Sequence, residues 1–275
     1  MSRKKVFGKC RICGQEGELT FEHIPPSATY NNKSVRIVKL MDLINSENKD
    51  GSFPWELDRA SYTISQRGLG EYCLCKKCNN DTGTWYGVHY KRFIDALMFV
   101  YVSVNKRNES MSTFELKDMR PLPIIKQIFA LFCDINHSLA EDDASVREFL
   151  LNKESNAIDR NKYRIFMYIM KGNFEKTVGL SALLMLGQPS PLVLSEIATV
   201  PVGFILYKDL PTDFNTNLTE ITNFLDCNYD DKANITMAVS AFEVNSWIPG
   251  DFRSKQEIAD TIERSRKWKA DNDKQ

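Results

Sequence analysis

Residues 71–80 read EYCLCKKCNN, and residues 8–14 read GKCRICG. Each stretch contains a Cys-x-x-Cys pair, Cys10 with Cys13 and Cys75 with Cys78. Two residues between the thiols let the backbone turn around one ion, so that both thiolates reach it at about 2.3 Å. The two pairs together predict a tetrahedral zinc site closed by four cysteines. Because such a site has no open coordination position, we expect the zinc to be structural.

The remaining cysteines support the same interpretation. The chain has seven cysteines, an odd number, and five of them lie within the first 78 residues. This clustering favours metal ligation over a disulfide framework. Cys73 competes with Cys75 as a ligand, but only Cys75 keeps the two-residue spacing to Cys78. We expect Cys73, Cys133 and Cys227 to be free thiols.

Composition limits the classes of function. A chain of 275 residues is long enough for one or two domains. With 36 basic and 36 acidic residues, its net charge is zero, which excludes a protein that coats nucleic acid through bulk charge. No apolar run approaches the roughly 20 residues that span a bilayer, and the start MSRKKVFGKC lacks the apolar stretch of a signal peptide. We therefore expect a soluble, cytoplasmic protein with no membrane contact.

Periodicity places the motifs on secondary structure. Turn residues interrupt the chain up to about residue 80, which predicts short strands and loops that need a metal to hold them. Apolar residues three and four apart then predict a helix over 80–104, with Asn80 or Asp81 as N-cap. The polar stretch 106–120 is typical of a linker or a short strand. Further helices are predicted over 121–139, 145–155 with Ser145 as cap, and 254–272. Strands are predicted over 163–170, 177–186, 194–207 and 234–244.

The candidate catalytic residues lie between the cysteine pairs and directly after the second pair. Residues 19–30 read LTFEHIPPSATY, so that Pro25 and Pro26 stop a strand just after Glu22 and His23. After the second pair, Asn79 follows Cys78 directly, where the helix begins. The alternative, non-catalytic interpretations are that His23 is a fourth zinc ligand or a core histidine, that Glu22 is a solvated strand residue, and that Asn79 is a simple N-cap.

This order of motifs resembles the zinc-stapled HNH endonucleases, which have the ββα-metal fold. The resemblance covers roughly residues 8–92. It implies that His23 is the general base that activates water, and that Glu22 and Asn79 hold one divalent ion, Mg²⁺ or Mn²⁺. It implies DNA as the substrate and leaves RNA open.

Physical chemistry is consistent with these roles. Histidine is the side chain that titrates near neutrality without perturbation, which suits a general base. A divalent cation stabilises charge on the phosphate and the leaving oxygen, and carboxylate and amide oxygens suit Mg²⁺. Neighbouring residues of a regular strand point to opposite faces, so Glu22 and His23 can share one site only if the strand bends.

The support for His23 departs from the family pattern. The family's middle Asn, which holds the base, is missing, and the stretch before the second cysteine pair contains Gly68 and Gly70. Gln66, Asn31, Asn32 or a backbone carbonyl could take its place.

Basic residues around these motifs are candidates for contacts with DNA phosphates. They are Lys76, Lys77, Lys91 and Arg92 on the helix, and Lys33, Arg36, Arg59 and Arg67 between the cysteine pairs. Trp85 and Tyr86 could stack on bases, although core packing is the favoured interpretation, and His89 is expected to be a packing or surface histidine.

The fold class predicted is α+β, with a zinc-stapled ββα-metal module at residues 1–105 and a mixed helix-strand domain at 106–275. The leading hypothesis is a metal-dependent HNH endonuclease, similar to effectors of antiphage defence or mobile elements. One such site cuts one strand, so double-strand cleavage would need a homodimer or two nicks. The second domain is compatible with specificity, dimerisation, or sensing of a regulatory protein or ligand. The alternative is a non-catalytic zinc module that binds nucleic acid or a protein.

Overall fold

The computed structural model describes residues 5–43, 53–57, 60–184, 190–211 and 214–272. The fold is mixed α/β, with several helices and more than one sheet.

The N-terminal part is built on a three-stranded antiparallel sheet. Its strands, in spatial order, are β1 (Val6–Lys9), β2 (Glu16–His23) and β5 (Gly70–Cys75). A separate ribbon, β3 (Val35–Val38) with β4 (Tyr62–Ser65), lies within the connection from β2 to β5. The predicted short strands between the cysteine pairs are therefore confirmed.

A long helical segment follows β5 without a loop. It consists of α1 (Lys76–Thr82), one π-helical turn (Gly83–Gly87) and α2 (Val88–Arg107). The segment begins four residues before the predicted start, because the Cys75 side chain caps it by accepting from the backbone N–H of Cys78 at 3.5 Å. The prediction of Asn80 or Asp81 as N-cap is wrong.

Residues 111–151 supply a strand and two helices. The stretch expected to be a linker or a short strand contains the nine-residue β6 (Met111–Met119). Helix α3 (Pro121–Ile135) begins where predicted and ends four residues before the predicted end at 139. The next helix, α4 (Ala144–Leu151), is capped by Asp143, whose carboxylate accepts from the N–H of Ser145 at 2.9 Å. The prediction of Ser145 as the cap is wrong by two residues.

The C-terminal part is a seven-stranded sheet. Apart from the short β11, which pairs with β7, its spatial order is β6, β12, β7, β10, β9, β8. Its further strands are β7 (Tyr163–Lys171), β8 (Lys176–Leu183), β9 (Leu192–Thr199), β10 (Val202–Lys208), β11 (Thr219–Glu220) and β12 (Ala233–Glu243). All neighbours are antiparallel except β12 with β7. Within the described residues, the predicted strands over 163–170, 177–186 and 234–244 are confirmed. The region 194–207 was predicted as one strand and instead contains two antiparallel strands, β9 and β10.

The last helix, α5 (Lys255–Asn272), is confirmed as predicted. None of the helices that the structure describes combines the length and the apolar character needed to cross a membrane.

Helix α3 is the centre of the core. All of its residues except Ile135 are buried, as expected for a helix that is apolar on nearly every side. One cluster of buried side chains contains Cys10 and Tyr90 from the N-terminal part together with Phe129 and Tyr163 from the C-terminal part. The domain boundary near residue 105 stays a prediction, and the hydrophobic core is continuous across it.

Candidate functional site

The first cysteine pair lies in a tight turn between β1 and β2. The N–H of Gly14 donates to the carbonyl of Cys10 at 2.9 Å, and Gly14 has a φ of 74°. Glycine adopts this left-handed conformation without steric cost, so the turn can close around the thiols of Cys10 and Cys13.

The second pair lies where β5 becomes α1. Cys75 is the N-cap residue and Cys78 is in the first helical turn, so the helix start fixes the direction of both thiols. The Sγ atoms of Cys10, Cys13, Cys75 and Cys78 all lie within 4.8 Å of one another, and those of Cys13 and Cys75 are 3.9 Å apart. A tetrahedral zinc–thiolate site has sulfur–sulfur distances of about 3.8 Å, so the four cysteines fit a zinc ion. This group could hold a structural metal such as zinc, as the spacing predicted.

The electrostatics of the four thiols also favour a cation. The hydrogen bond from the Cys78 thiol lowers the pKa of Cys10 to about 4. The same contact raises the pKa of Cys78, and burial raises that of Cys13. One thiolate in this cluster therefore opposes ionisation of its neighbours. A bound dication would remove this conflict, because it stabilises all four thiolates together.

Cys73 is separate from the cysteine cluster. Its buried thiol donates to the carboxylate of Asp134 at 3.6 Å, and burial raises its pKa well above the usual range. The cluster of four cysteines that could hold a metal contains Cys75 and not Cys73, in agreement with the spacing. Cys133 is buried and Cys227 is half-buried, and both are free thiols as predicted.

Arg11 connects the first cysteine turn to the C-terminal end of α3. Its guanidinium donates to the backbone carbonyl of Asp134, to Glu71 at 2.6 Å, and to the Nε2 atom of His137 at 2.9 Å. Sequence reasoning missed this residue, because an arginine between two zinc ligands is more often solvated. No signal in the sequence pairs it with a helix more than 100 residues away.

His23 is the last residue of β2. Its Nε2 atom lies 2.9 Å from the backbone carbonyl oxygen of Arg67. Because a carbonyl can only accept, Nε2 must carry the proton, and in the neutral ring Nδ1 has the free lone pair. The ring also meets Phe21 edge to face, with the ring centres 5.1 Å apart. The group that contacts the His23 ring where the family's middle Asn is expected is therefore a backbone carbonyl, which was one of the candidates from the sequence.

Asn31 holds the loop that carries this carbonyl. Its side-chain amide donates to the carbonyls of Pro25 at 2.6 Å and Leu69 at 2.7 Å, and its Oδ1 accepts from the N–H of Leu69 at 2.7 Å. Gly68 has a φ of +85°, and a Cβ atom there would lie 2.3 Å from the Asn31 carbonyl oxygen. Asn31 therefore supports His23 indirectly, and the glycine is required by the close approach of the two loops.

Glu22 faces away from His23. Strand β2 keeps regular pairing at its end, with Glu22 opposite Glu71 and His23 opposite Gly70. Adjacent residues of such a strand point to opposite faces. Burial raises the pKa of the Glu22 carboxyl to about 7, and its charge contributes to the raised pKa of the buried Asp134 carboxyl. Glu22 is thus directed toward α3, and the bend that would bring it beside the His23 ring is absent from this strand end.

Asn79 lies in the first turn of α1 and contacts the same face of β2 as Glu22. Its Nδ2 donates to the Oγ1 of Thr20 at 2.9 Å, and Thr20 and Glu22 share a face because they are two residues apart. Within the described residues, the Asn79 amide oxygen accepts no hydrogen bond from the protein. The structure therefore brings Glu22 and Asn79 to one face of the β2–β5 pair and His23 to the other face.

The residues assigned to the divalent ion do not form a closed site. Within the described residues, the four cysteines are the only Cys, His, Asp and Glu group that gathers three or more ligand atoms within 4.8 Å. Glu22 and Asn79 could supply two oxygen ligands at most, and the binding of Mg²⁺ or Mn²⁺ by them stays a prediction.

The basic residues predicted to contact DNA differ in their surroundings. Lys77, Lys91 and Arg92 each pair with a carboxylate, whereas Lys76 is exposed at the start of α1. Arg67 lies beside His23, with its guanidinium 3.7 Å above the ring centre of Phe21.

Further candidates lie between the two cysteine pairs. Arg36 lies over the Tyr62 ring, and Lys33 is exposed. Arg59 lies outside the described residues. Phosphate contact by any of the predicted basic residues remains a prediction.

The aromatic residues of the π-helical turn belong mainly to the core. Tyr86 is fully buried and its hydroxyl donates to the carbonyl of Leu150 at 2.9 Å, which confirms the packing interpretation. Trp85 is half-buried. His89 is half-buried beside Tyr229, and burial lowers its pKa, as expected for a packing histidine.

A scan against protein-family models gives no match, and neither a curated protein nor a solved structure shows significant similarity to this chain.

Proposed function

We propose that this chain is a metal-dependent endonuclease of the HNH type that hydrolyses phosphodiester bonds in DNA. The observation that carries the proposal is the environment of His23. His23 is the last residue of β2 in the antiparallel β2–β5 pair. Its ring is half-buried and is oriented by a hydrogen bond from Nε2 to the Arg67 carbonyl. This is the arrangement that a general base needs, since orientation leaves Nδ1 as the proton acceptor.

The reaction proposed for His23 is general-base hydrolysis. Nδ1 accepts a proton from water, and the water oxygen attacks the phosphorus atom of the scissile diester. The bond from phosphorus to the leaving oxygen then breaks, and the leaving oxygen acquires a proton from solvent. A bound divalent ion would supply charge stabilisation on the phosphate.

The order of elements supports the assignment of the module. An antiparallel pair, β2 and β5, runs directly into α1, and the two cysteine turns join the base of the pair to the start of the helix. Zinc at the four cysteines would fix the relative position of strand and helix, and therefore that of His23 and Asn79.

A second candidate function is a non-catalytic zinc module that binds nucleic acid. The placement of Glu22 favours it, because this carboxyl faces the buried Asp134 and not the His23 ring. An ion held by Glu22 and Asn79 would lie across the strand from the base. A host role in antiphage defence or in a mobile element belongs to this proposal by analogy with similar nucleases, and a cytoplasmic location stays a prediction from the sequence.

Cleavage of supercoiled plasmid with Mg²⁺ or Mn²⁺ tests the proposal. We compare the wild type with His23→Ala and with His89→Ala, a matched histidine variant outside the site. All three proteins are brought to the same zinc content before the assay. Loss of a general base lowers the rate about 10²- to 10⁴-fold, so we expect nicking by wild type and His89→Ala only.

The other outcomes separate the two functions. Equal nicking by wild type and His23→Ala would remove the assignment of the base. Absence of nicking by every protein, with retained binding of a labelled DNA duplex, would favour the binding module. Abolished nicking in Glu22→Gln at unchanged zinc content would support the carboxyl as a cation ligand.

A further inference from the structure

The face of β2 that carries His23 has a second functional group. The Arg67 guanidinium lies 3.7 Å above the ring centre of Phe21 and 5.8 Å from that of Tyr72. One of its amino groups also donates to the Tyr72 hydroxyl at 3.3 Å. His23 contacts the edge of the same Phe21 ring. One aromatic ring therefore supports both the imidazole and the guanidinium.

Among the described residues, no acidic side chain neutralises the charge of Arg67. No carboxylate in the described part of the chain pairs with it, whereas Lys77, Lys91 and Arg92 each have an acidic partner. Arg67 is exposed, and stacking on an aromatic ring fixes the plane of the guanidinium while its edge stays open to solvent. A planar, unpaired guanidinium edge matches two oxygens of a phosphate group.

The backbone of Arg67 connects the two groups. Its carbonyl holds the His23 ring, so the same residue that orients the imidazole also directs the guanidinium. Gly68 and Asn31 fix the loop just beyond it. The hydrogen bond and the shared Phe21 ring therefore link the position of the imidazole to that of the guanidinium.

We infer that Arg67 forms a phosphate-binding site beside the His23 ring, on the ring of Phe21, and that its guanidinium donates to the non-bridging oxygens. The ligand class is a phosphate monoester or diester. The role of this site in hydrolysis rests on the proposed function, but the binding of phosphate does not.

Nuclear magnetic resonance of the histidine rings tests the inference. The chain has three histidines, so the ring C–H signals of zinc-loaded full-length protein can be assigned by substitution. We titrate inorganic phosphate into the wild type, Arg67→Gln, Arg67→Lys and Arg107→Gln. Arg107 is an exposed arginine on α2 that pairs with Glu109, and it serves as the matched control.

We expect the His23 signal of the wild type and of Arg107→Gln to move saturably, while the His89 and His137 signals stay fixed. Arg67→Gln should weaken this binding about tenfold or more, because it removes a charge-assisted hydrogen bond. Arg67→Lys keeps the charge without the planar edge and should show intermediate affinity. An unmoved His23 signal in wild type, or equal affinity in Arg67→Gln, would overturn the inference.

Plasmid nicking by the same preparations distinguishes this inference from the proposed function. Phosphate binding that depends on Arg67, without nicking under any divalent ion, would support the site and contradict the nuclease. Unchanged nicking and unchanged phosphate affinity in Arg67→Gln would contradict the site and leave the nuclease intact.

Discussion

Gly68→Ala should destabilise the protein and displace the carbonyl that holds His23. The new Cβ atom would lie 2.3 Å from the Asn31 carbonyl oxygen and 2.4 Å from its Oδ1. These atoms cannot move alone, because the Asn31 side chain bonds to Pro25 and Leu69. Relief of the clash therefore requires the loop and the Asn31 segment to separate.

The magnitude follows from two contributions. A residue with a Cβ in the left-handed region costs about 1–2 kcal/mol. Separation of the segments breaks the three Asn31 side-chain hydrogen bonds, each with a net contribution of about 1 kcal/mol. We therefore expect Gly68→Ala to lower the free energy of unfolding by about 4–5 kcal/mol.

Gly172→Ala is the matched control. Gly172 has a φ of +81°, close to that of Gly68, but nothing lies within 4 Å of the position of its added Cβ. It should lose only the backbone contribution, about 1–2 kcal/mol. The difference between the two variants therefore measures the contact between Gly68 and Asn31.

Urea unfolding of the zinc-loaded proteins measures both values, and plasmid nicking of the folded proteins measures the effect on His23. We expect Gly68→Ala to lose nicking activity and Gly172→Ala to retain it. Equal unfolding free energies for the two variants would refute the stabilising role given to the Asn31 side-chain hydrogen bonds. Full nicking by Gly68→Ala would refute the role of the Arg67 carbonyl in orienting the base.

Two further predictions concern zinc and a buried lysine. Cys75→Ser should lose bound zinc in a metal-content assay, whereas Cys73→Ser should retain one equivalent. Of these two thiols, only that of Cys75 belongs to the four-cysteine cluster. Equal zinc contents in the two variants would contradict this ligand set. Burial lowers the pKa of Lys126 from its usual 10.5 to about 7. Between about pH 7 and 10.5 the unfolded chain therefore binds more protons at this position, so stability should rise with pH by at most about 1.4 kcal/mol per unit. Below pH 7 both states carry the proton and this contribution is constant. Lys126→Met should show a smaller rise in unfolding free energy between pH 7.5 and 9.5, and an unchanged slope would contradict burial as the cause.

The zinc ligands could be predicted from sequence because the relevant physics is local. Two residues between thiols set the reach of each turn, and this alone distinguishes Cys75 from Cys73. The apolar strands of the large sheet could also be predicted, although 194–207 was predicted as one strand and contains two. Strands such as β7 and β10 are buried along most of their length, and their near-continuous apolar residues mark them.

Other local features gave misleading signals. The cap of α1 is a cysteine, whereas capping preferences favour Ser, Thr, Asp and Asn, so the helix was predicted to start too late. Strand β6 alternates exposed and less exposed residues along most of its length, and its polar composition is also typical of a linker. In both cases a tertiary partner, the cysteine cluster or the neighbouring β12, decides the outcome.

The geometry around His23 depends on contacts that leave little trace in the sequence. The group that orients the ring is a backbone carbonyl, and every residue has one. Asn31 stabilises that loop across 38 positions of sequence, and Asp134 meets the Glu22 side of the hairpin from α3. From the sequence, only the alternation of side chains along a strand could predict that Glu22 and His23 lie on opposite faces of β2.

The position of Arg11 gives the metal an influence beyond its ligands. Arg11 is enclosed between Cys10 and Cys13, so a bound ion immobilises the backbone on both sides of it. Its guanidinium in turn covers the backbone carbonyl of Asp134 near the end of α3, a helix that contributes no ligand. A chelator would therefore release a helix end that the ion never touches. Occupancy of the four-cysteine site would therefore restrict motion at the end of α3 through the Arg11 side chain.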